Sequence, residues 1–240
     1  QFDLWGSSRV PVLDRVDLDL SGRLQFVHNR ATQPSYNLGL LVRPVTPLSL
    51  KLGYAYAFRL PSLAEQFADD VFTQGYAKLN PETARTLAAT GSIALSDRVR
   101  ARATYFHQEI DSLIQYQWNP MIYRSVPRNF DRFRSDGIDV QIDVALRRDL
   151  DVSWSAVWQD ARQSSLDDGG LREAAYVPDF KWRFDAAWSG GAFDLGGSAT
   201  FTAERAAFLY DGSRKTIPSV YEFDMHAGVR VVEHLRLNLS

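Results

Sequence analysis

The sequence predicts an all-β protein: an antiparallel, up-and-down transmembrane β-barrel, of which about twelve strands are present. Three observations predict it. Apolar and polar residues alternate with period two over long stretches. The connections between those stretches alternate between short and long. No apolar run approaches the roughly 18 residues of a membrane-spanning helix. Apolar residues make up 45% of the chain, and a barrel hides such a fraction at neutral hydropathy because its inward and outward residues average out.

The clearest strand runs from Leu48 to Phe58. One face is Leu48, Leu50, Leu52, Tyr54, Tyr56 and Phe58; the other is Ser49, Lys51, Gly53, Ala55 and Ala57. A helix would mix these sets, whereas a strand keeps them apart. The pattern returns from Ile138 to Arg147, where Ile138, Val140, Ile142, Val144 and Leu146 oppose Asp139, Gln141, Asp143, Ala145 and Arg147. It returns again over Leu150 to Gln159, Phe180 to Trp188, Phe193 to Thr202 and Tyr221 to Val231. Weaker versions cover Val16 to Phe26, Tyr36 to Val42, Leu87 to Leu95 and Val99 to Tyr105.

Short connections fall at Pro44–Pro47, Ser96–Asp97, Arg147–Asp149, Gly190–Gly191 and Val232–Glu233. Long ones fall at roughly Arg59–Glu82, Gln117–Tyr123, Arg162–Ala175 and Phe208–Thr216. In outer-membrane barrels the short turns face the periplasm and the long loops face outside. A soluble β-sandwich also alternates, but its strands are shorter than the roughly 9 to 15 residues read here. The apolar faces carry no charge over their length. Aromatics collect near strand ends, with Tyr54, Tyr56 and Phe58 before a long loop and Trp188 and Phe193 about a short turn, as at the two interfaces of a membrane. Charged residues such as Asp139, Asp143, Arg100 and Arg102 face the other way, toward water or a polar filling of the barrel.

Charge is dispersed and nearly balanced, at −2, so no basic stripe points to nucleic acid. The absence of cysteine removes disulfides, thiol nucleophiles and thiolate metal sites. The four histidines, His28, His107, His226 and His234, lack metal-ligand spacing, and His226 and His234 read as lining the lumen. No nucleophile elbow, phosphate loop or dinucleotide fingerprint occurs, so neither a catalytic residue nor a cofactor is assigned. Asp69-Asp70 and Asp167-Asp168-Gly169-Gly170 lack the alternating spacing of calcium loops and read as solvated loop tips. The chain opens with Gln1 and no leader-like segment, which is the expectation for the interior of a longer protein.

From Tyr54 to Phe67 the sequence Tyr-Ala-Tyr-Ala-Phe-Arg-Leu-Pro-Ser-Leu-Ala-Glu-Gln-Phe resembles the TonB-dependent receptor barrel, with Leu60 in place of the usual Ala. Asn80-Pro81-Glu82-Thr83 is similar to the element that closes the long loop in that family. Tyr105-Phe106 with Ile110-Asp111-Ser112-Leu113-Ile114, Asn129 with Gly137-Ile138-Asp139, and Val177-Pro178 and Ile217-Pro218 follow in family order. Leu235 to Ser240 resembles the penultimate strand. The resemblance covers nearly the whole chain and implies a barrel of about 22 strands around an N-terminal plug, with residues 1–240 forming part of the barrel domain, roughly strands 10 to 21. Plug, early strands and last strand are expected elsewhere in a longer protein.

The resemblance further implies a receptor of the bacterial outer membrane, set among lipid and lipopolysaccharide. It would import a large, scarce nutrient (ferric siderophore, haem, cobalamin or glycan) on energy from the TonB–ExbB–ExbD complex, reached through the plug. From the residues themselves come two candidate ligand contacts. Arg124, Arg128, Arg132 and Arg134 lie with Tyr123, Phe130 and Phe133 on one returning strand. Guanidinium groups beside aromatics suit an anionic chelate, and equally lipopolysaccharide phosphates or plug carboxylates. The long loop supplies Phe72, Gln74 and Tyr76. Two rival functions remain: a passive porin-like channel, which the polar faces also fit, and an outer-membrane enzyme barrel, for which the histidines assemble no nucleophile and base.

Overall fold

The computed structural model describes residues 2–26, 32–164, 170–208, 213–232 and 235–239. His28, His234 and Asp167-Asp168-Gly169 lie outside the described residues, as does the side chain of Phe130. The first strands are β1 (Phe2–Leu13), β2 (Val16–Phe26), β3 (Gln33–Val45) and β4 (Leu48–Arg59), followed by the short helix α1 (Leu63–Phe67). Then come β5 (Glu82–Ser96), β6 (Val99–Asn119), β7 (Arg124–Arg147), β8 (Leu150–Ser164) and β9 (Leu171–Glu173). The chain continues through β10 (Phe180–Gly190), β11 (Phe193–Thr202), β12 (Arg205–Phe208), β13 (Arg214–Ile217), β14 (Val220–Val232) and β15 (Leu235–Leu239).

Twelve of these strands form one antiparallel meander in the order β1-β2-β3-β4-β5-β6-β7-β8-β10-β11-β14-β15. The count and topology are those the alternating pattern predicts. β9 adds to β8, and β12 pairs with β13 in a separate two-stranded sheet. The sheet is open, since β1 and β15 each pair on one side only.

Directly paired residues of an antiparallel sheet point to the same face, so the register traces each face across the strands. One row reads Val16, Val42, Leu50, Gly91, Ala103, Val140, Ala156, Trp182, Phe201 and Tyr221. The next reads Leu48, Ile93, Ala101, Ile142, Trp154, Phe184, Ala199 and Phe223. Neither row contains a charge. The opposite face carries Asp17, Asp19, Lys51, Arg102, Gln141, Asp143, Arg183, Asp185 and Asp224, joined in pairs such as Arg43–Asp17 at 2.7 Å and Arg183–Asp185 at 2.6 Å. His226 lies on this polar face with its ring over Gly196, its cross-strand partner.

Aromatic rings gather near the loop end of the apolar face. Tyr36 stacks on Tyr56 at 5.4 Å, Trp158 on Phe180 at 4.7 Å, and Phe201 meets Tyr221 at 4.8 Å. At the turn end Trp188 donates from Nε1 to Asp149 at 2.8 Å. Two-residue turns close that end between β1 and β2, β3 and β4, β5 and β6, β7 and β8, and β10 and β11.

Three loop expectations need correction. The connection read at Gln117–Tyr123 is a four-residue turn, 120–123, because β6 and β7 run on as one hairpin of 21 and 24 residues. A tilted membrane strand needs only about 9 to 11 residues, so the hairpin projects well beyond the apolar band. The segment read as a loop over Arg162–Ala175 keeps β8 as far as Ser164 and folds β9 back on it. That over Phe208–Thr216 carries most of β13 and the end of β12. Polar sequence outside a membrane no longer has two different environments to separate, so strands there lose their period-two signature.

Candidate functional site

The loop 60–81 is a built structure. Ser62 caps α1 by accepting from the Glu65 N–H at 3.1 Å, while Glu65 accepts from the Ser62 N–H at 2.7 Å. This reciprocal box satisfies two amides that a helix start leaves open. The same Glu65 carboxylate takes both terminal nitrogens of Arg59 at 3.0 and 3.1 Å. Arg59 in turn grips Glu82 through Nε at 2.6 Å and Nη2 at 2.8 Å. Glu82 Oε1 finally accepts the backbone N–H of Ile114 in β6 at 2.6 Å.

One network therefore ties β4, α1, β5 and β6 together, with Glu65 and Glu82 both buried. A buried carboxylate is tolerated only when paired and hydrogen-bonded, and each of these is both. Burial pushes the Glu65 carboxyl up, but Arg59 and the Ser62 N–H outweigh it and leave the group below its ordinary value.

The rest of the loop folds back as a small hairpin. Gly75 donates to Ala68 O at 2.6 Å and Tyr76 to Glu65 O at 2.9 Å. A Cβ at Gly75 would stand 2.6 Å from backbone atoms of Gln66 and Phe67, so only glycine permits this approach. The hairpin then docks on the projecting β6–β7 pair. Ser125 donates to Phe72 O at 2.8 Å, Gln74 donates to Ser125 O at 3.0 Å, and Arg124 reaches Asp69 at 2.6 Å. The result is a cap standing on the loop end of the sheet.

Phe72, Gln74, Tyr123 and Arg124 come together at the top of this cap. Phe72 and Tyr123 are each 76% exposed. Tyr123 also meets Trp118 edge-on at 6.4 Å. Tyr76 is half-exposed at the base of the loop. The four arginines do not form one cluster. A strand advances about 3.3 Å per residue, so Arg124 and Arg134 lie roughly 33 Å apart along β7. Arg128 is exposed between them, opposite Gln115. Arg132 and Arg134 sit on the continuation of the apolar face, where Arg132 approaches Asp111 at 3.8 Å and Arg134 bonds Asp136 at 2.8 Å.

The Arg59–Glu65–Glu82 network was not among the expected site residues, nor was Asn129, whose side chain bonds the Asn80 backbone at 2.9 and 3.0 Å. The sequence signal for the first was Ser62-Leu-Ala-Glu65, the capping-box pattern just after Arg59. A smaller second cap surrounds β9, β12 and β13, where Arg214 bonds Glu173 at 2.8 and 3.1 Å and Arg172 lies 4.1 Å from the Phe208 ring.

A long antiparallel meander with one charge-free face, one polar face, and loop caps at one end defines the wall of a transmembrane β-barrel. The chain belongs to the family of TonB dependent receptor-like β-barrels, whose model matches residues 1–240. Solved structures of the same fold include the copper transporter OprC, at 18% identity and a TM-score of 0.76, covering 98% of this chain and 40% of that one. The ferric enterobactin receptor PfeA of Pseudomonas aeruginosa is 16% identical with a TM-score of 0.77, covering 98% and 38%. The siderophore receptor PiuA of Acinetobacter baumannii is 15% identical with a TM-score of 0.70, covering 98% and 37%. The chain thus spans about two-fifths of the length of these structures. No curated protein sequence matches it.

Proposed function

We propose that this chain forms part of the barrel wall and the external recognition cap of an outer-membrane receptor that imports a large, scarce nutrient. The observation that carries this reading is the cap: an aromatic and polar tip of Phe72, Gln74, Tyr123 and Arg124 on a base fixed by the Arg59–Glu65–Glu82 network. Recognition residues on loops held by a rigid scaffold are the usual way such folds bind ligands. Tyr76 and Arg128 are adjoining contacts. Arg132 and Arg134 are assigned to the lipid-side surface instead.

Family membership supports active import in preference to passive diffusion. In this reading the polar face surrounds a plug, and TonB with ExbB and ExbD supplies the energy that displaces it. The work is differential binding between two conformations, with no covalent step. The cargo belongs to the classes carried by such receptors: ferric siderophore, haem, cobalamin or glycan. The surrounding phase is outer-membrane lipid and lipopolysaccharide.

The test uses the full-length protein in cells lacking their own high-affinity receptors. Cells are supplied in turn with a ferric catecholate, haemin, cyanocobalamin or a maltooligosaccharide as the limiting nutrient. Growth on one of these, lost on deleting TonB and weakened at least tenfold by Phe72→Ala with Tyr123→Ala, is the expected result. Growth independent of TonB, with steady ion conductance through the purified protein, would favour the passive channel.

A further inference from the structure

The cap is built inside out. Its interior is charged and polar: Arg59, Glu65 and Glu82 close on one another, and Gln66 is buried beside them, donating to Pro61 O at 2.7 Å. Its exterior is apolar. Leu63 is 76% exposed, Phe67 64% and Val71 75%, and Phe72, Met121 and Tyr123 are exposed with them. A helix solvated on its outer side would bury Leu63 and Phe67 and expose Glu65 and Gln66, the reverse of what α1 does. Large apolar side chains gathered on a surface mark a contact site.

The strand that carries this surface sets its direction. Arg59 lies on the polar face of β4, two positions beyond Ala57, and pairs across the strands with Glu82. Glu65 joins that pair, so α1 rests against the inner side of the wall. Successive helical residues turn by about 100°. Leu63 and Phe67, each two positions from Glu65, therefore share the side of the helix opposite to it. They point away from the wall, over the mouth of the barrel. The small hairpin begins directly after Phe67 and carries Val71 and Phe72 up to Ser125, beside Met121 and Tyr123 of the β6–β7 turn.

Little charge interrupts this surface. Within the loop 60–81, Glu65 is engaged in the network and Asp69 holds Arg124 at 2.6 Å. Asp70 accepts from the Phe72 and Thr73 N–H groups at 2.7 and 2.8 Å. That leaves Lys78, exposed and without an ion pair among the described residues. Neither the loop 60–81 nor the upper hairpin 113–130 contains a histidine or cysteine, so neither residue type is on hand there to ligate a haem iron.

We propose that this surface receives a planar tetrapyrrole by the face of its ring, without using the metal at its centre. The inference rests on the import reading and narrows its cargo. A porphyrin offers two broad apolar faces and a few carboxylates at its rim. Leu63, Phe67, Val71 and Phe72 match the faces through apolar burial and ring stacking, and Lys78 matches a rim carboxylate. A glycan carries hydroxyls around its whole edge, and a corrin carries amides, which these side chains would leave unpaired. A ferric triscatecholate carries more negative charge than one lysine balances.

The test titrates the purified full-length protein, in lipid nanodiscs with empty discs as the blank. The probes are haemin, metal-free protoporphyrin, a ferric triscatecholate and cyanocobalamin, followed by quenching of tryptophan fluorescence. Haemin and protoporphyrin are expected to bind within about threefold of each other and at least tenfold more tightly than the other two. Leu63→Ser/Phe67→Ser should weaken both porphyrins at least tenfold, and Arg183→Gln, on the wall below, should leave them unchanged. Heat-modifiable gel migration verifies that each variant is folded. Haemin bound at least tenfold more tightly than protoporphyrin would assign recognition to the metal and overturn the proposal, as would a folded double variant that keeps its affinity. TonB-dependent growth on a ferric catecholate by a protein that binds no porphyrin overturns it too, and leaves the import reading standing. Porphyrin binding with the expected variant effects but no TonB-dependent growth sinks the import reading and upholds the assignment of this surface.

Discussion

Asn129 in β7 holds Asn80, 49 positions earlier, by both its backbone N–H and its backbone carbonyl. The Asn80 N–H donates to Asn129 Oδ1 at 2.9 Å, and Asn129 Nδ2 donates to Asn80 O at 3.0 Å. The same amide nitrogen donates to Ser112 O at 2.6 Å, where Ser112 takes a positive φ of 58°. One side chain thus joins the end of the loop 60–81 to both strands of the projecting hairpin. Asn129→Ala removes three hydrogen bonds, each with a net value near 1 kcal/mol, so local opening of the cap should become easier by about 1–3 kcal/mol. Limited proteolysis within 60–81 should accelerate accordingly, while the melting of the barrel itself stays unchanged. Unaltered cleavage would show that the strand network alone holds the loop.

Glu65 gives the cap a defined response to acid. Its pKa in the folded protein lies below the ordinary value of 4.5, because Arg59 and the Ser62 N–H outweigh the effect of burial. A depressed carboxylate contributes stability that is complete above the unfolded-state value and is lost as pH falls through the folded-state value. The cap should therefore hold firm down to about pH 4.5 and loosen below it. Pepsin cleavage within 60–81, compared at each pH with Glu65→Gln, provides the measurement. The native protein should approach the variant as the pH falls, and a constant ratio from pH 5 to pH 3 would contradict the assignment.

Two glycines carry steric demands of opposite consequence. At Gly75 the nearest atoms to an added Cβ belong to the loop's own backbone, whereas at Gly137 it would stand 2.6 Å from Trp158 O and 2.5 Å from the Phe106 ring between β6 and β8. Gly75→Ala should displace the loop hairpin and lower ligand binding without harming the barrel. Gly137→Ala forces apart two strands of the wall and should cost about 1–3 kcal/mol as overpacking does. Urea unfolding of both variants of the full-length protein separates them: a lower midpoint is expected for Gly137→Ala alone.

The strands were legible where the two faces meet different surroundings. Leu48 to Phe58 and Ile138 to Leu146 announce themselves because one face meets apolar solvent and the other does not. Beyond the apolar band that contrast vanishes, and Gln108 to Tyr116 shows no alternation in sequence although every residue of it but Ser112 is paired with β7. The arginines of β7 illustrate the same limit for the site. Proximity in sequence suggested a cluster, but strand geometry extends it, and only register shows that Arg132 and Arg134 share the face of Ile138. The Arg59–Glu65–Glu82 network joins residues 23 positions apart, and of it only the helix cap was visible locally.

Ala199 and Ser198 are neighbours in β11 whose environments differ as much as any two in the chain. Ala199 lies between Phe184 and Phe223 in the charge-free row, midway along the strand. Ser198 faces the other way and donates to Asp224 at 3.1 Å, with Asp185 as its other cross-strand partner. An arginine on the lipid face near the bilayer midplane costs about 2–4 kcal/mol, because a guanidinium must be buried in hydrocarbon or drag water to it. An arginine at position 198 instead meets two carboxylates in a polar interior. Ala199→Arg should therefore lower the stability of the full-length protein refolded into phospholipid vesicles by about 2–4 kcal/mol, measured by urea titration, and Ser198→Arg by less than about 1 kcal/mol. The reverse order would place Ala199 on the inside of the wall and invert the assignment of the two faces, and with it the lipid-side position of Arg134.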